Sequence, residues 1–170
     1  MIWLDIILRR MLMGDNDAFA ALYEKTKRGV FAFLYTYYKN QYDTEDAVQS
    51  VYLLIKKNIG SYVPGKNARA WILEIAKNYA LNDIKKRSRV DYTDDEGDFS
   101  SCATAADTGF VVTDLMDRLL TDEERKIMVL HVIWGYRHRE IGAILGMPTG
   151  TVTSKYKRAI DRLKKAMKEE

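Results

Sequence analysis

The stretch Thr121–Ala159, TDEERKIMVLHVIWGYRHREIGAILGMPTGTVTSKYKRA, decides how the chain folds. Thr121 with Glu124 three positions on is a capping box, the reciprocal pairing that starts a helix. Ile127, Leu130, His131 and Trp134 then recur at helical spacing as an inward face, and Gly135 suits the C-terminal cap. REIGAILG follows as a short helix ending at Gly146, and MPTG forms a tight turn in which Pro148 suits the first helical position. A last helix runs to about Lys168, with Val152, Tyr156, Ile160 and Leu163 on its buried side. Two helices joined by a tight glycine-containing turn form a helix-turn-helix. Its second helix offers Thr149, Thr151, Thr153, Ser154, Lys157 and Arg158 near the N-terminus. Small hydroxyl residues let a phosphate backbone approach and bond to it, and Lys or Arg reach base edges in the major groove. An amphipathic surface helix with solvated lysines is the plainer alternative; the short preceding helix, the turn and the uncharged threonine run argue against it.

Upstream of this stretch, Asp114–Leu120 reads as a short helix. Before it, VDYTDDEGDFSSCATAADT carries six acidic residues, no basic ones and no apolar period. Such a segment buries too little surface to offset the entropy of ordering it. Residues 90–112 are therefore expected to be a flexible acidic linker. The flanking segments are net basic, with 15 basic and 9 acidic residues from Met1 to Arg89 and 12 against 9 from Gly109 to Glu170. The expected organisation is two small helical domains, 1–89 and 113–170, with the helix-turn-helix in the second.

The first domain reads as helical throughout. Asp15 caps a helix with an apolar stripe of Phe19, Leu22, Tyr23, Val30, Phe33, Leu34 and Tyr37. After a turn at Asn40–Asp43, TEDAVQSVYLLIKKN places Val48, Val51, Tyr52 and Ile55 on one face and acids in the first turn, where the helix dipole favours them. Asn58 and Gly60 end that helix, and Pro64–Gly65 marks a turn in SYVPGKN. A long helix from about Ala68 to Arg89 turns Trp71, Ile72, Ile75, Ala76, Tyr79 and Ile84 inward and ends in the basic run IKKRSR. Basic and aromatic residues interleave along this stretch, the combination that grips single-stranded nucleic acid by backbone contact and base stacking. Trp71 and Tyr79 read equally well as core.

Composition narrows the rest. In 170 residues, 47% hydrophobic and 30% charged, with 10 Gly and 2 Pro, there is ample surface for a core, which excludes collagen and bulk disorder. One cysteine, Cys102, forms no internal disulfide, so a reducing compartment is expected. Met1–Leu12 is apolar but interrupted by Asp5, Arg9 and Arg10, too short and too charged for a membrane span and without a signal-peptide pattern. A soluble cytoplasmic protein with no membrane insertion is the expectation. His131 and His138 with Cys102 lack metal-ligand spacing, and Asp94, Asp95, Glu96 and Asp98 lack the glycine and spaced oxygens of a calcium loop. No phosphate-cradling glycine loop is present, so no cofactor, metal or catalysis is expected. A recombinase with an appended helix-turn-helix would need a mixed α/β domain, which the first half does not suggest. Two binding classes compete: a regulator that reads duplex DNA alone, often as a dimer, and a partner-binding protein with no DNA role.

Taken together, TEDAVQSVYLLI, NARAWILEIAKNYALNDIKKRSR and LLTDEERKIMVLHVIWGYRHREIGAILGMPTGTVTSKYKRAIDRLKKA resemble, in order and spacing, the two domains of an RNA polymerase sigma factor of the extracytoplasmic-function group. The resemblance covers roughly Asp17–Arg89 and Asp114–Met167. It implies core RNA polymerase and promoter DNA as partners, and an anti-sigma protein besides. Asp43, Asp46 and Gln49 would face the polymerase clamp. The loop Ser61–Asn67 would capture a base flipped from the minus-ten element. Lys66, Asn67, Arg69, Trp71, Asn78, Asn82, Lys85, Lys86, Arg87 and Arg89 would hold the melted strand. Thr149, Thr151, Thr153, Ser154, Lys157 and Arg158 would read the minus-thirty-five element. Arg137 stands where the family usually has a capping Ser or Thr, and it cannot accept an amide bond, which bears on where that helix starts. At Thr153 and Lys155 many members carry Arg or Lys and Arg, so fewer phosphate contacts or a different hexamer is expected.

Overall fold

A computed structural model describes residues 2–90 and 116–169. Of the linker expected at 90–112, Val90 belongs to a helix and residues 91–112 lie outside the described residues, as do Cys102, the acids at 94, 95, 96 and 98, and the start of the helix expected from Asp114. Every regular element among the described residues is helical, so the expected all-α class holds. Two compact units divide the chain, before and after residue 98.

Among its described residues the first unit packs four α-helices and one short 3-10 turn, Ile59–Ser61. α1 (Ile2–Leu12) buries Leu4, Ile7, Leu8 and Met11, a stripe at helical spacing. The charges that interrupt the apolar run fall off this stripe, where Asp5 and Arg9 pair one turn apart at 2.8 Å. α2 (Asn16–Tyr38) begins where expected, with the Asp15 carboxylate accepting from the amides of Asp17 and Ala18 at 3.0 and 3.2 Å. It ends on Lys39, left-handed at φ 58, whose amide donates to the Tyr35 carbonyl. α3 (Gln41–Lys57) starts earlier than the expected turn allows, because Asn40 caps it by accepting from the Asp43 amide at 2.8 Å. Val48, Val51, Tyr52 and Ile55 are all buried. The Tyr52 hydroxyl meets the buried Thr26 hydroxyl at 2.6 Å, which satisfies both polar groups inside the core.

α4 (Ala68–Val90) packs on α2 and α3. Its buried face is Ala68, Ile72, Leu73, Ala76 and Ala80, which corrects the expected one. Ile84 is exposed and Trp71, Ile75 and Tyr79 are half-buried. Ile72 and Leu73 supply its large buried side chains, and Trp71, Ile75 and Tyr79 lie on the flanks of that face. Tyr23 of α2, expected in the apolar stripe, is exposed, its ring lying edge-on to Tyr52 at 4.8 Å.

In the second unit α5 (Asp122–Met128) has the full capping box: the Thr121 amide donates to Glu124 at 3.0 Å and the Glu124 amide to the Thr121 hydroxyl at 3.4 Å. Its last turn widens into a π-helical turn, Val129–Ile133, and Gly135 at φ 67 lets the Tyr136 amide return to the Leu130 carbonyl at 3.0 Å. α6 (His138–Leu145) and α7 (Thr149–Glu169) enclose Ile127, Leu130, Trp134, Ile141, Val152 and Ala159. The Arg137 side chain caps nothing, yet the helix starts there because Glu140 accepts from the Arg137 amide at 2.7 Å. Pro148 sits one residue before α7, and its carbonyl accepts from Val152 at 3.2 Å.

Candidate nucleic-acid interface

α7 presents the expected face. Thr149, Thr151, Thr153, Ser154, Lys157 and Arg158 are all exposed over its first three turns. The Thr153 and Ser154 hydroxyls donate back to the carbonyls of Thr149 and Gly150 at 3.0 and 2.9 Å. Each oxygen keeps acceptor capacity, and the short side chains leave the helix N-terminus, with its partial positive charge, open to a phosphate. Two further cations of α7 turn the other way. Lys155 reaches Glu123 at 2.6 Å and Arg162 reaches the buried Glu124 at 2.8 Å. Burial pushes the Glu124 carboxyl up, but Thr121 and Arg162 outweigh it and hold the group below the usual range. Helix α7 is thereby fixed to α5 on one side and free to dock on the other.

The turn between α6 and α7 is tight. Gly146 is left-handed at φ 68, and the Met147 amide bonds back to the Gly142 carbonyl at 2.9 Å. A Cβ on Gly142 would lie 2.6 Å from the Met147 carbonyl oxygen. Gly142 is therefore a requirement of the turn.

Beneath the exposed face His131, His138 and Tyr156 pack ring on ring, with centroids 4.7 to 5.0 Å apart. His131 Nδ1 donates to the Tyr136 carbonyl at 2.8 Å, as a structural histidine would. His138 Nδ1 lies 3.0 Å from the Thr153 hydroxyl, whose proton is committed to Thr149, so the ring nitrogen is the donor. Burial, and secondarily His131, lowers the His138 pKa below 6.5. The unfolded chain then binds the extra proton first, so the second unit loses stability as pH falls below about 6.5. The chain has two histidines, and an NMR titration of their ring protons is expected to show the His138 midpoint below 6.5. A midpoint at or above that value contradicts this reading of the cluster.

In the first unit Asn78, Asn82, Lys85, Lys86 and Arg89 are exposed along α4. Asn78, Asn82 and Lys86 border a shallow depression that Leu54 of α3 and Asn58, just after that helix, also line. The Trp71 ring packs at a tilt against Tyr62, with centroids 5.3 Å apart, and Arg69 is half-buried. Lys66 is exposed, whereas the Asn67 side chain is occupied as the cap of α4, accepting from the Ala70 amide at 3.2 Å. Asp46 and Gln49 are exposed on α3. Asp43 is not open in the same way, because the Arg87 guanidinium bonds to it and also pairs with Asp83 at 2.9 Å. That guanidinium holds the Asp43 carboxyl below the usual carboxylate range. Two residues expected to serve different partners thus meet in one network, which the Tyr38 hydroxyl extends by donating to Asp83 at 2.9 Å.

Asp5 and Arg9 of α1 were missed by sequence reasoning. Their signal was an acid and a base four residues apart inside an apolar run, a spacing that puts both on the polar side of a helix.

Two family descriptions match: Sigma-70 region 2 over residues 22–90 and Sigma-70, region 4 over residues 118–165. The RNA polymerase sigma factor CarQ of Myxococcus xanthus is 28% identical over 167 residues, covering 95% of this chain and 96% of that protein. The ECF RNA polymerase sigma factor SigW of Bacillus subtilis is 25% identical over 178 residues, covering 95% of each. Among solved structures, CnrH in complex with the cytosolic domain of CnrY shares the fold with a TM-score of 0.61 at 18% identity, over 98% of this chain and 97% of that one. The sigma factor RpoE from Bartonella quintana, in complex with the anti-sigma factor NepR, has a TM-score of 0.56 at 25% identity, over 82% of this chain and 89% of that one.

Proposed function

This chain belongs to the sigma-70 family of RNA polymerase sigma factors, in its extracytoplasmic-function group, and on that footing we propose how its two units divide the work. The chain directs promoter-specific transcription initiation as an alternative sigma factor on core RNA polymerase. In our reading residues 1–89 seat on the polymerase through the α3 face bearing Asp43, Asp46 and Gln49. The same unit melts the minus-ten element. The loop Ser61–Asn67 captures a flipped base, while Arg69, Trp71, Asn78, Asn82, Lys85, Lys86, Arg87 and Arg89 hold the opened strand. Flipping costs a few kcal/mol, which stacking and backbone contacts offset. Residues 113–170 anchor the minus-thirty-five element through α7, and residues 90–112 tether the two units.

The observation that carries this reading is the exposed hydroxyl and basic face of α7, Thr149 to Arg158, held over a helix-turn-helix inside the segment matching region 4. The protein supplies recognition and melting and leaves bond making to the polymerase, so no catalytic residue is assigned. No helix among the described residues is long and apolar enough to cross a membrane, which supports a cytoplasmic location. An anti-sigma protein is a further proposed partner, supported by the complexes in which the structural neighbours were solved. The test is reconstitution with core polymerase on a random promoter library. Transcripts are expected only from promoters sharing two spaced elements. A chain that ignores core polymerase and binds duplex DNA alone as a dimer is instead a regulator.

A further inference from the structure

α1 precedes residues 22–90, the segment that matches the family, yet it supplies the carboxylate around which the loop Ser61–Asn67 is built. Asp5 Oδ1 accepts from two points of that loop, the Tyr62 hydroxyl and the Gly65 amide, the latter at 2.9 Å. Its other oxygen accepts from Arg9 Nε at 2.8 Å. The loop itself is a type II turn: Pro64 fixes the second position, Gly65 takes φ 83 at the third, and the Lys66 amide returns to the Val63 carbonyl at 3.2 Å. Asp5 holds this turn at two points, Tyr62 just before it and Gly65 within it. Tyr62 is buried and packs at a tilt against Trp71, so the anchor also sets the ring beside which a base would lie. Val63 and Lys66 are left exposed at the tip.

We propose that Asp5 is a positioning residue for base capture: its carboxylate presets the Ser61–Asn67 turn against Trp71, so that discrimination at one position of the minus-ten element depends on a side chain of the first helix. The proposal rests on the reading of that loop as the base pocket. The electrostatics agree with the geometry. The Tyr62 hydroxyl, with the Gly65 amide, holds the Asp5 carboxyl below the usual range, and burial together with Asp5 pushes Tyr62 up to about 12. The pair is therefore a carboxylate facing a neutral phenol across the neutral pH range. A turn fixed before the base arrives has less entropy to lose on capture, and displacements of about 1 Å at such sites are worth up to about 100-fold.

The experiment uses holoenzyme reconstituted with full-length protein on a promoter recovered from the library, with all four bases tested in turn at each minus-ten position. Opening is followed by the fluorescence of 2-aminopurine placed beside the tested base. Asp5→Ala is expected to flatten base preference at one position by about 10-fold, with core binding and dependence on the upstream element unchanged. Tyr62→Phe keeps the buried ring and removes one of the two contacts, so it tests the anchor if Asp5→Ala does not fold; a partial loss at the same position is expected. Lys66→Ala and Val63→Ala, at the exposed tip, test the loop reading by themselves. If the tip variants flatten the preference while Asp5→Ala and Tyr62→Phe do not, the anchoring role is wrong and the base pocket stands. If the tip variants leave every position unchanged, the base pocket is wrong and the proposal falls with it. A uniform slowing at all positions in Asp5→Ala, without loss of discrimination, marks a merely structural role and also overturns it.

Discussion

Alanine at Gly142 is expected to cost the second unit most of its promoter grip while leaving the first unit folded. The added carbon would stand 2.6 Å from the Met147 carbonyl oxygen and 3.7 Å from the Thr149 amide nitrogen. Both are backbone atoms of the turn that sets α7 against α6, so no flexible side chain end can give way. Relief requires opening the turn, which breaks the return bond from the Met147 amide to Gly142 and tilts the α7 face. Overpacking of this kind costs about 1–3 kcal/mol, and in a unit of this size each kcal/mol lowers the melting temperature by roughly 4–8 °C. Thermal unfolding followed by circular dichroism should show the second unit's transition lowered, and footprinting of the holoenzyme should show protection lost at the upstream element. An unchanged transition with an unchanged footprint would mean that the turn absorbs a methyl group, and the helix-turn-helix geometry described above would be at fault.

Arg158→Ala tests chemistry where Gly142 tests geometry. Arg158 is exposed, and its Nε only grazes the Ser154 carbonyl, at 3.4 Å, so truncation removes no packing. A base-edge contact from arginine is worth about 1–3 kcal/mol, which is about 5- to 150-fold in promoter occupancy. The loss should be confined to promoters that depend on the minus-thirty-five element and should appear equally in run-off transcription. Arg162→Ala is the informative contrast, since Arg162 binds the buried Glu124. Its effect should be on thermal stability, because it leaves a buried carboxylate short of a partner. Undiminished occupancy and output in Arg158→Ala would remove the arginine from the interface.

The second unit was readable almost helix by helix, because its signals are local. A capping box at Thr121, glycines at 135 and 146 and a proline at 148 each act within a few residues of themselves. The π turn at Val129–Ile133 was not readable, since the widened turn keeps the same apolar residues on the same side. In the first unit the helices were clear, but the inward face of α4 takes in Leu73 and Ala80 and leaves Ile75, Tyr79 and Ile84 at the rim or outside. The contacts that tie distant segments, Asp5 to Gly65 and Asp43 to Arg87, leave no periodic trace in sequence. Asp43 and Arg87 were singled out individually from a resemblance; that they touch is a fact of tertiary structure alone.

That touch has a consequence for ionic strength. Transferring an arginine from water to a nucleic-acid phosphate liberates a condensed counterion, and the sum of such releases sets how steeply affinity falls with added salt. Arg87 already sits between two anions of its own chain, Asp43 and Asp83. Moving it to a phosphate gives up two anionic neighbours for one and leaves two carboxylates to be rehydrated. It would therefore add less to the steepness of the salt curve than Arg89, two positions on, although both carry the same formal charge.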